Sequence, residues 1–98
     1  MLILPLGKLK PNEKRMYKVR IEKTVQKAIE KIEEPFYSKI KTAILGLGVN
    51  PRPQGYTKLK GREGYRIRVA HFRIIYRIID NILLVEVIDL GQRKDIYK

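Results

Sequence analysis

Residues 64–78, "GYRIRVAHFRIIYRI", alternate basic and apolar side chains almost one for one. A period of two is typical of β-strands, in which successive side chains point to opposite faces of a sheet. The stretch therefore predicts two strands, at about 65–70 and 72–79. One face should be apolar and contact a core, with Tyr65, Ile67, Val69, Phe72, Ile74, Tyr76 and Ile78. The other, here called the arginine face, should carry Arg66, Arg68, Arg73 and Arg77, with Ile75 and Ile79 in the same row.

Two helices are predicted upstream of these strands. Thr24 is a suitable N-cap for a helix near 24–33, where apolar residues recur at helical spacing. Pro35 should end that helix and lie in the first turn of a second one, which Gly48 should end. Two amphipathic helices in tandem indicate a helical hairpin.

The remaining strands complete a small α+β domain. Alternation predicts a first strand at about 16–22 and a last one at 82–90, with a tight hairpin turn at Asp80–Asn81. The order is β-α-α-β-β-β, which predicts a four-stranded, mostly antiparallel sheet with the helical hairpin on one face. Residues 1–15 read as an N-terminal extension of the domain at 16–98, and Met16 is an alternative start.

Composition narrows the possible functions. The chain of 98 residues carries a net charge of +12, and residues 52–77 hold eight bases and one acid, a local charge of +7. This charge indicates a polyanionic partner such as nucleic acid. There is no cysteine and a single histidine, so no metal site and no cofactor are expected. The sequence shows neither a signal peptide nor a membrane span, and a cytoplasmic location is expected.

The chemistry of arginine suggests a use for the arginine face. Four neighbouring guanidinium groups repel one another unless an anion compensates them. Each presents a planar fork that matches phosphate oxygens and can stack on bases. An anion-binding face and an ordinary solvated basic face both fit this pattern. Arg77 could contact RNA or pair with Glu86, and His71 is expected to be a turn residue.

The chain resembles the RelE family of toxins in the RelE/ParE superfamily. The resemblance is carried by "NPRP", "KLKG", "YRIRV", "FRIIYRI" and "GQRKDIY", in that order, and it extends over about residues 16–98. It implies a toxin of a toxin–antitoxin system that binds the ribosomal decoding site. It also implies mRNA cleavage there without a metal, with the RNA 2′-OH as nucleophile, and silencing by an acidic antitoxin of the RelB type.

The resemblance also implies roles for individual residues. The catalytic set would be Arg66, Arg68, Arg73, Arg93 and Tyr97. Contacts to RNA or the ribosome would come from Lys58, Lys60, Arg62 and Arg77. Family members elsewhere carry lysine where Arg66 and Arg68 stand, and an arginine cannot lose its proton in a protein. These two residues are therefore expected to stabilise charge in the transition state, while Tyr97 exchanges a proton with the 2′-OH or stacks on a base.

Two other functions remain open at this point. One is a ParE-like toxin that poisons DNA gyrase and performs no RNA chemistry. The other is a nucleic-acid-binding homologue without catalytic activity.

Overall fold

The computed structural model describes the backbone of residues 2–4 and all of residues 16–92, so Arg93 and Tyr97 lie outside the described residues. The elements in chain order are β1 (Leu2–Leu4), β2 (Lys18–Ile21), α1 (Lys23–Glu30), α2 (Phe36–Val49), β3 (Thr57–Lys58), β4 (Tyr65–Val69), β5 (Phe72–Ile79), a 3₁₀ turn (Asp80–Ile82) and β6 (Leu84–Gln92).

The strands form one mixed sheet in the order β1-β2-β6-β5-β4-β3. Strands β2 and β6 are parallel, and the other neighbours are antiparallel. The predicted α+β fold and its mostly antiparallel sheet are confirmed. The sheet of the described chain has six strands where four were predicted, because β1 and β3 add one short strand at each edge. Strands of two or three residues are too short to show a period of two.

The helical hairpin covers one face of the sheet, and the core lies between them. Its fully buried members come from α2 and from the strands β2, β5 and β6: Val19, Ile21, Ile40, Ile44, Leu47, Ile74, Tyr76, Val85 and Val87. The predicted apolar faces of β4 and β5 contribute Ile67, Phe72, Ile74 and Tyr76 to this cluster, with Tyr65, Val69 and Ile78 packed against it. Alternation along the quoted stretch therefore assigned the core face correctly.

The first helix begins and ends earlier than predicted: it runs over Lys23–Glu30, where about 24–33 was predicted, so Pro35 does not end it. Glu22, and not Thr24, is the N-cap residue, and Thr24 lies inside α1. The reason is that the sheet pairing continues to Glu22, whose backbone N–H donates to the carbonyl of Val87, so that the chain turns directly from strand into helix. Pro35 is the N-cap of α2 and lies just before its first turn.

Gly48 does not end α2, contrary to the prediction. The helix continues to Val49, and Gly48 is buried where α2 crosses the start of β2. The Tyr17 backbone N–H donates to the Gly48 carbonyl at 2.7 Å. A Cβ at Gly48 would lie 3.0 Å from the Tyr17 carbonyl oxygen and 3.1 Å from Cγ2 of Val19. Glycine is needed here because the helix approaches the strand closely.

The two predicted turns differ in outcome. The turn between β4 and β5 is confirmed, because Val69 pairs with Phe72 and only Ala70 and His71 connect them. The predicted two-residue turn at Asp80–Asn81 is wrong. Ile79 pairs with Leu84, so the connection takes four residues, and it closes with Leu83 in the left-handed region at φ 52°. A tight turn would favour glycine at its second position, where this chain has Asn81.

The contact at Gly48 generates a stability prediction. Gly48→Ala should lower the free energy of unfolding by about 1–3 kcal/mol, because the added methyl group overpacks the helix against the strand. Gly46→Ala is the matched control, since it lies on the same helix and a Cβ there meets nothing within 4 Å. The control should be neutral or stabilise by up to about 1 kcal/mol through helix propensity. Urea unfolding of both variants measures the difference, and equal effects would contradict the packing argument.

Candidate nucleic-acid interface

The pairing of β4 with β5 brings three of the predicted arginines together. Arg68 lies directly opposite Arg73, and Arg66 lies directly opposite Ile75. Directly opposite residues share a face of the sheet. Arg66, Arg68 and Arg73 therefore form one cluster on the arginine face, away from the helices, as the alternation predicted.

The three arginines differ in accessibility. Arg68 is exposed, Arg66 is half-buried, and Arg73 is only 5% exposed. Ile75 on the same face is also buried, so the arginine face is less open than predicted. Arg68 forms no salt bridge with any residue in the range 16–92. It is therefore the member of the cluster most available to a ligand.

Arg77 lies farther along β5 and has an acidic partner. Its Nη2 donates to Oε1 of Glu86 at 2.8 Å, and Nη2 of Arg20 lies 2.7 Å from Oε2 of the same carboxylate. The three residues are in register across β5, β6 and β2. Of the two roles open for Arg77, the structure shows the pairing with Glu86. Arg20 could not be selected from the sequence, because its link to Arg77 exists only through the sheet.

A second carboxylate on this face was also missed. Because Glu86 is on the arginine face, regular alternation along the strand predicts that Asp89 faces the core. A β-bulge between Ile75 and Tyr76 shifts the register, so that Asp89 lies opposite Ile75 on the arginine face and Leu90 packs against the core. Oδ1 of Asp89 accepts a hydrogen bond from the Leu90 backbone at 2.8 Å. No signal in the sequence marks the bulge.

The basic loop before β4 is only partly aligned with this cluster. Lys58 pairs with Tyr65, which places it on the helix side of the sheet edge, whereas its neighbour Thr57 pairs with Arg66. Lys60 and Arg62 are exposed in the connection between β3 and β4. The pairing thus turns Lys58 away from the arginine face, and Lys60 and Arg62 lie outside the paired strands.

Contacts at its first residues fix this loop to the domain. The buried Tyr76 hydroxyl donates to the Pro51 carbonyl at 2.7 Å, and burial raises the pKa of Tyr76. Arg52 donates to both carboxylate oxygens of Asp80, at 2.9 and 3.3 Å, and its guanidinium lies 5.8 Å from the centre of the Tyr65 ring. The predicted core packing is confirmed, since Tyr76 belongs to the buried core and Tyr65 packs against it.

Asp80 joins three separate segments. Besides Arg52 it accepts a hydrogen bond from the Tyr17 hydroxyl at 2.6 Å. The bonds from Arg52, and next from Tyr17, lower the pKa of the Asp80 carboxyl. The hydrogen bond from Tyr17 to Asp80 also raises the pKa of the Tyr17 hydroxyl, because the carboxylate holds its proton.

Two further observations concern the described chain. No group of three or more potential metal ligands comes together within the described residues. None of their helices is long and apolar enough to cross a membrane.

His71 is exposed in the β4–β5 turn, with its ring edge-on to Phe36, as expected for a turn residue.

Comparison with solved structures shows the same fold in RelE toxins. The archaeal RelE–RelB complex from Pyrococcus horikoshii OT3 contains a chain that is 26% identical, with a TM-score of 0.73 over 80% of this chain and 96% of that one. The isolated E. coli RelE toxin is 23% identical, with a TM-score of 0.67 over 84% of this chain and 90% of that one. A chain of the RelB–RelE complex from Methanococcus jannaschii is 24% identical, with a TM-score of 0.64 over 81% and 95%. A search of curated protein sequences finds no match.

A family model decides the class. Residues 6–97 match the ParE toxin of the type II toxin–antitoxin system parDE. The chain therefore belongs to the ParE toxin family, within the RelE/ParE superfamily, and its fold is that of RelE toxins. It is a RelE-like toxin of a toxin–antitoxin system.

The pairing of Asp80 generates a prediction about pH. Because its pKa is lowered in the folded state, ionised Asp80 contributes stability above its unfolded pKa of about 3.9, and this contribution is lost as the pH falls through the folded pKa. Asp80→Asn should therefore destabilise the protein at pH 7, and the difference from the parent chain should shrink as the pH is lowered below 4. Thermal melting over a pH series measures it. Glu33→Gln removes the same charge from an exposed position and is the matched control for the loss of a carboxylate.

Proposed function

We propose that this toxin is a ribosome-dependent mRNA endonuclease that arrests translation and acts in the cytoplasm, where ribosomes lie. The observation that carries the proposal is the cluster of Arg66, Arg68 and Arg73 across β4 and β5, with Arg68 opposite Arg73. These positions are the ones that the resemblance to RelE toxins assigns to the catalytic strand pair. A cluster of guanidinium groups is suited to a phosphodiester and not to a neutral substrate.

The proposed reaction begins with attack of the RNA 2′-oxygen on the adjacent phosphorus. A bond forms between these two atoms, the bond from phosphorus to the 5′-oxygen breaks, and the 5′-oxygen takes up a proton. Negative charge accumulates on the phosphoryl oxygens in the transition state. Preorganised arginines stabilise that charge, and one such donor is worth about 3–4 kcal/mol in comparable sites.

Proton transfer falls to other groups in this proposal. Arg66, Arg68 and Arg73 stay protonated and orient the phosphate. Tyr97 exchanges a proton with the 2′-OH, and Arg93 binds the phosphate or the leaving oxygen. Positioning of the mRNA in the decoding site supplies much of the remaining rate enhancement, because alignment alone lowers such barriers by several kcal/mol. Lys60 and Arg62 contact the ribosomal RNA backbone from the exposed loop, and Lys58 does so from the sheet edge.

An acidic antitoxin of the RelB type is the proposed protein partner. The net charge of +12 favours a partly disordered acidic protein that folds on binding. RelE chains of the P. horikoshii and M. jannaschii structures are bound to RelB proteins, which supports the same partner here.

A ParE-like action on DNA gyrase is the second candidate. It is favoured by the name of the family model that matches residues 6–97. The arginine cluster of β4 and β5 favours RNA cleavage instead. Induction of a gyrase poison would leave mRNA intact and produce DNA breaks, so the two functions are distinguished in one culture.

Arg68 offers the sharpest test of the site, since it is exposed and its truncation should not disturb the fold. Arg68→Ala should reduce the rate of mRNA cleavage on translating ribosomes by 100-fold or more, on the order of the loss of one transition-state donor. Mapping of mRNA 5′ ends after induction measures cleavage, with codon-aligned cuts expected from the parent chain and none on naked RNA.

Lys39→Ala is the matched control for this variant. Lys39 is exposed on α2, on the other side of the sheet, and its loss changes the net charge equally. It should retain full cleavage. Undiminished cleavage by Arg68→Ala would show that the cluster is not the site, and the same outcome for Arg93→Ala would remove Arg93 from it.

A further inference from the structure

We infer that Arg20 and Arg77, held by Glu86, form a second phosphate-binding position on the arginine face. Its ligand is the backbone of the same single-stranded RNA that the proposed function places at Arg68, on which this inference rests. Arg20 has no role in the activity described so far. Glu86 acts as a positioning residue, because it contacts the two arginines and not the RNA.

The geometry makes the two guanidinium groups neighbours. Each approaches a different oxygen of one carboxylate through its Nη2 atom, at 2.7 Å for Arg20 and 2.8 Å for Arg77. Glu86 is only 7% exposed, so both arginines reach down to it from the surface. Their side chains remain 36% and 38% exposed. The Nε atoms of both groups are buried, and the other donors that Glu86 does not use can meet a ligand from the solvent side.

Charge shows that this group is not a simple ion pair. Two guanidinium groups and one carboxylate leave a surplus of one positive charge. By alternation along β2, Lys18 and Glu22 lie on the same face on either side of Arg20, so their charges cancel and the surplus stays at one positive charge. One arginine would be enough to neutralise the charge of Glu86, and here the carboxylate contacts two. A second arginine at the same carboxylate must overcome repulsion from the first, and an anion bound at the surface removes that cost.

The chemistry of the donors identifies the anion as a phosphodiester. A guanidinium has five N–H donors in a fixed plane, and Glu86 receives one contact from each group. Two such groups side by side can bind both non-bridging oxygens of one phosphate. An acidic peptide would also bring negative charge, but the flat surface of a sheet carrying arginines suits a backbone that runs across the strands.

The position extends the site along one direction. Arg20 lies on β2, and Arg66 and Arg68 lie on β4, with β6 and β5 between them. Three steps between neighbouring strands correspond to roughly 14 Å. An RNA strand that reaches from Arg68 to Arg20 must therefore contain several nucleotides. Arg20 and Arg77 would bind phosphates away from the bond that is cleaved.

The test is the salt dependence of RNA binding. The probe is a nine-nucleotide RNA with 2′-O-methyl groups, which binds but offers no nucleophile for cleavage. Each phosphate contact on a single strand contributes about −0.7 to the slope of log K against log salt concentration. Arg20→Gln should reduce the magnitude of the slope by about that amount. The control Lys39→Gln removes the same charge from the helix side and should leave the slope unchanged.

A conservative variant separates a phosphate contact from a structural role. Arg20→Lys keeps the charge and an ion pair with Glu86 but loses the planar fork. It should retain the slope and bind more weakly than the parent chain. If Arg20→Gln loses stability, Arg20→Lys still tests the site. Equal slopes and equal affinities of parent, Arg20→Gln and Arg20→Lys would overturn the inference, as would binding by the parent chain that does not depend on salt.

Failure of this inference is distinguishable from failure of the proposed function. Loss of cleavage in Arg68→Ala together with an unchanged slope in Arg20→Gln would leave the nuclease and remove the second phosphate position. A reduced slope in Arg20→Gln, with mRNA uncut on ribosomes, would leave the RNA-binding position and remove the nuclease.

Discussion

Along strand β5, side chains alternate strictly between the core and the arginine face, and both surfaces of the sheet depend on this alternation. Ile74 and Tyr76 are completely buried under the helices, while Arg73 and Arg77 lie on the other side. A shift of one residue would exchange the two sets. The buried hydroxyl of Tyr76 and its bond to Pro51 oppose such a shift. The same register that forms the core therefore places the arginines.

Much of this arrangement could be predicted because a period of two is a local property. Residues 64–78 alone were sufficient to separate the core side of β4 and β5 from the arginine side. The two helices and the order of the elements also followed from short-range patterns. The group of Arg66, Arg68 and Arg73 needed only one further assumption, that consecutive strands form a hairpin.

The features that escaped prediction depend on partners distant in sequence. Gly48 looked like the end of a helix, because its contact with Tyr17 is invisible without the sheet. Arg20 looked like ordinary surface until β6 brought Glu86 beside it. The bulge that turns Asp89 outward leaves no trace in composition, since it arises from how β5 and β6 pair. Local patterns thus define faces, and long-range pairing decides which charges meet.

The parallel pairing of β2 with β6 has a consequence for synthesis of the protein. Lys18 pairs with Leu84, so β2 finds its partner strand 84 − 18 = 66 residues later in the chain. Contacts between such distant residues form slowly, because a long loop has to be closed first. A nascent chain cannot complete the centre of its sheet until β6 has left the exit tunnel. The contacts of Glu86 with Arg20 and Arg77 therefore form only after β4 and β5 have been synthesised and β6 has followed them.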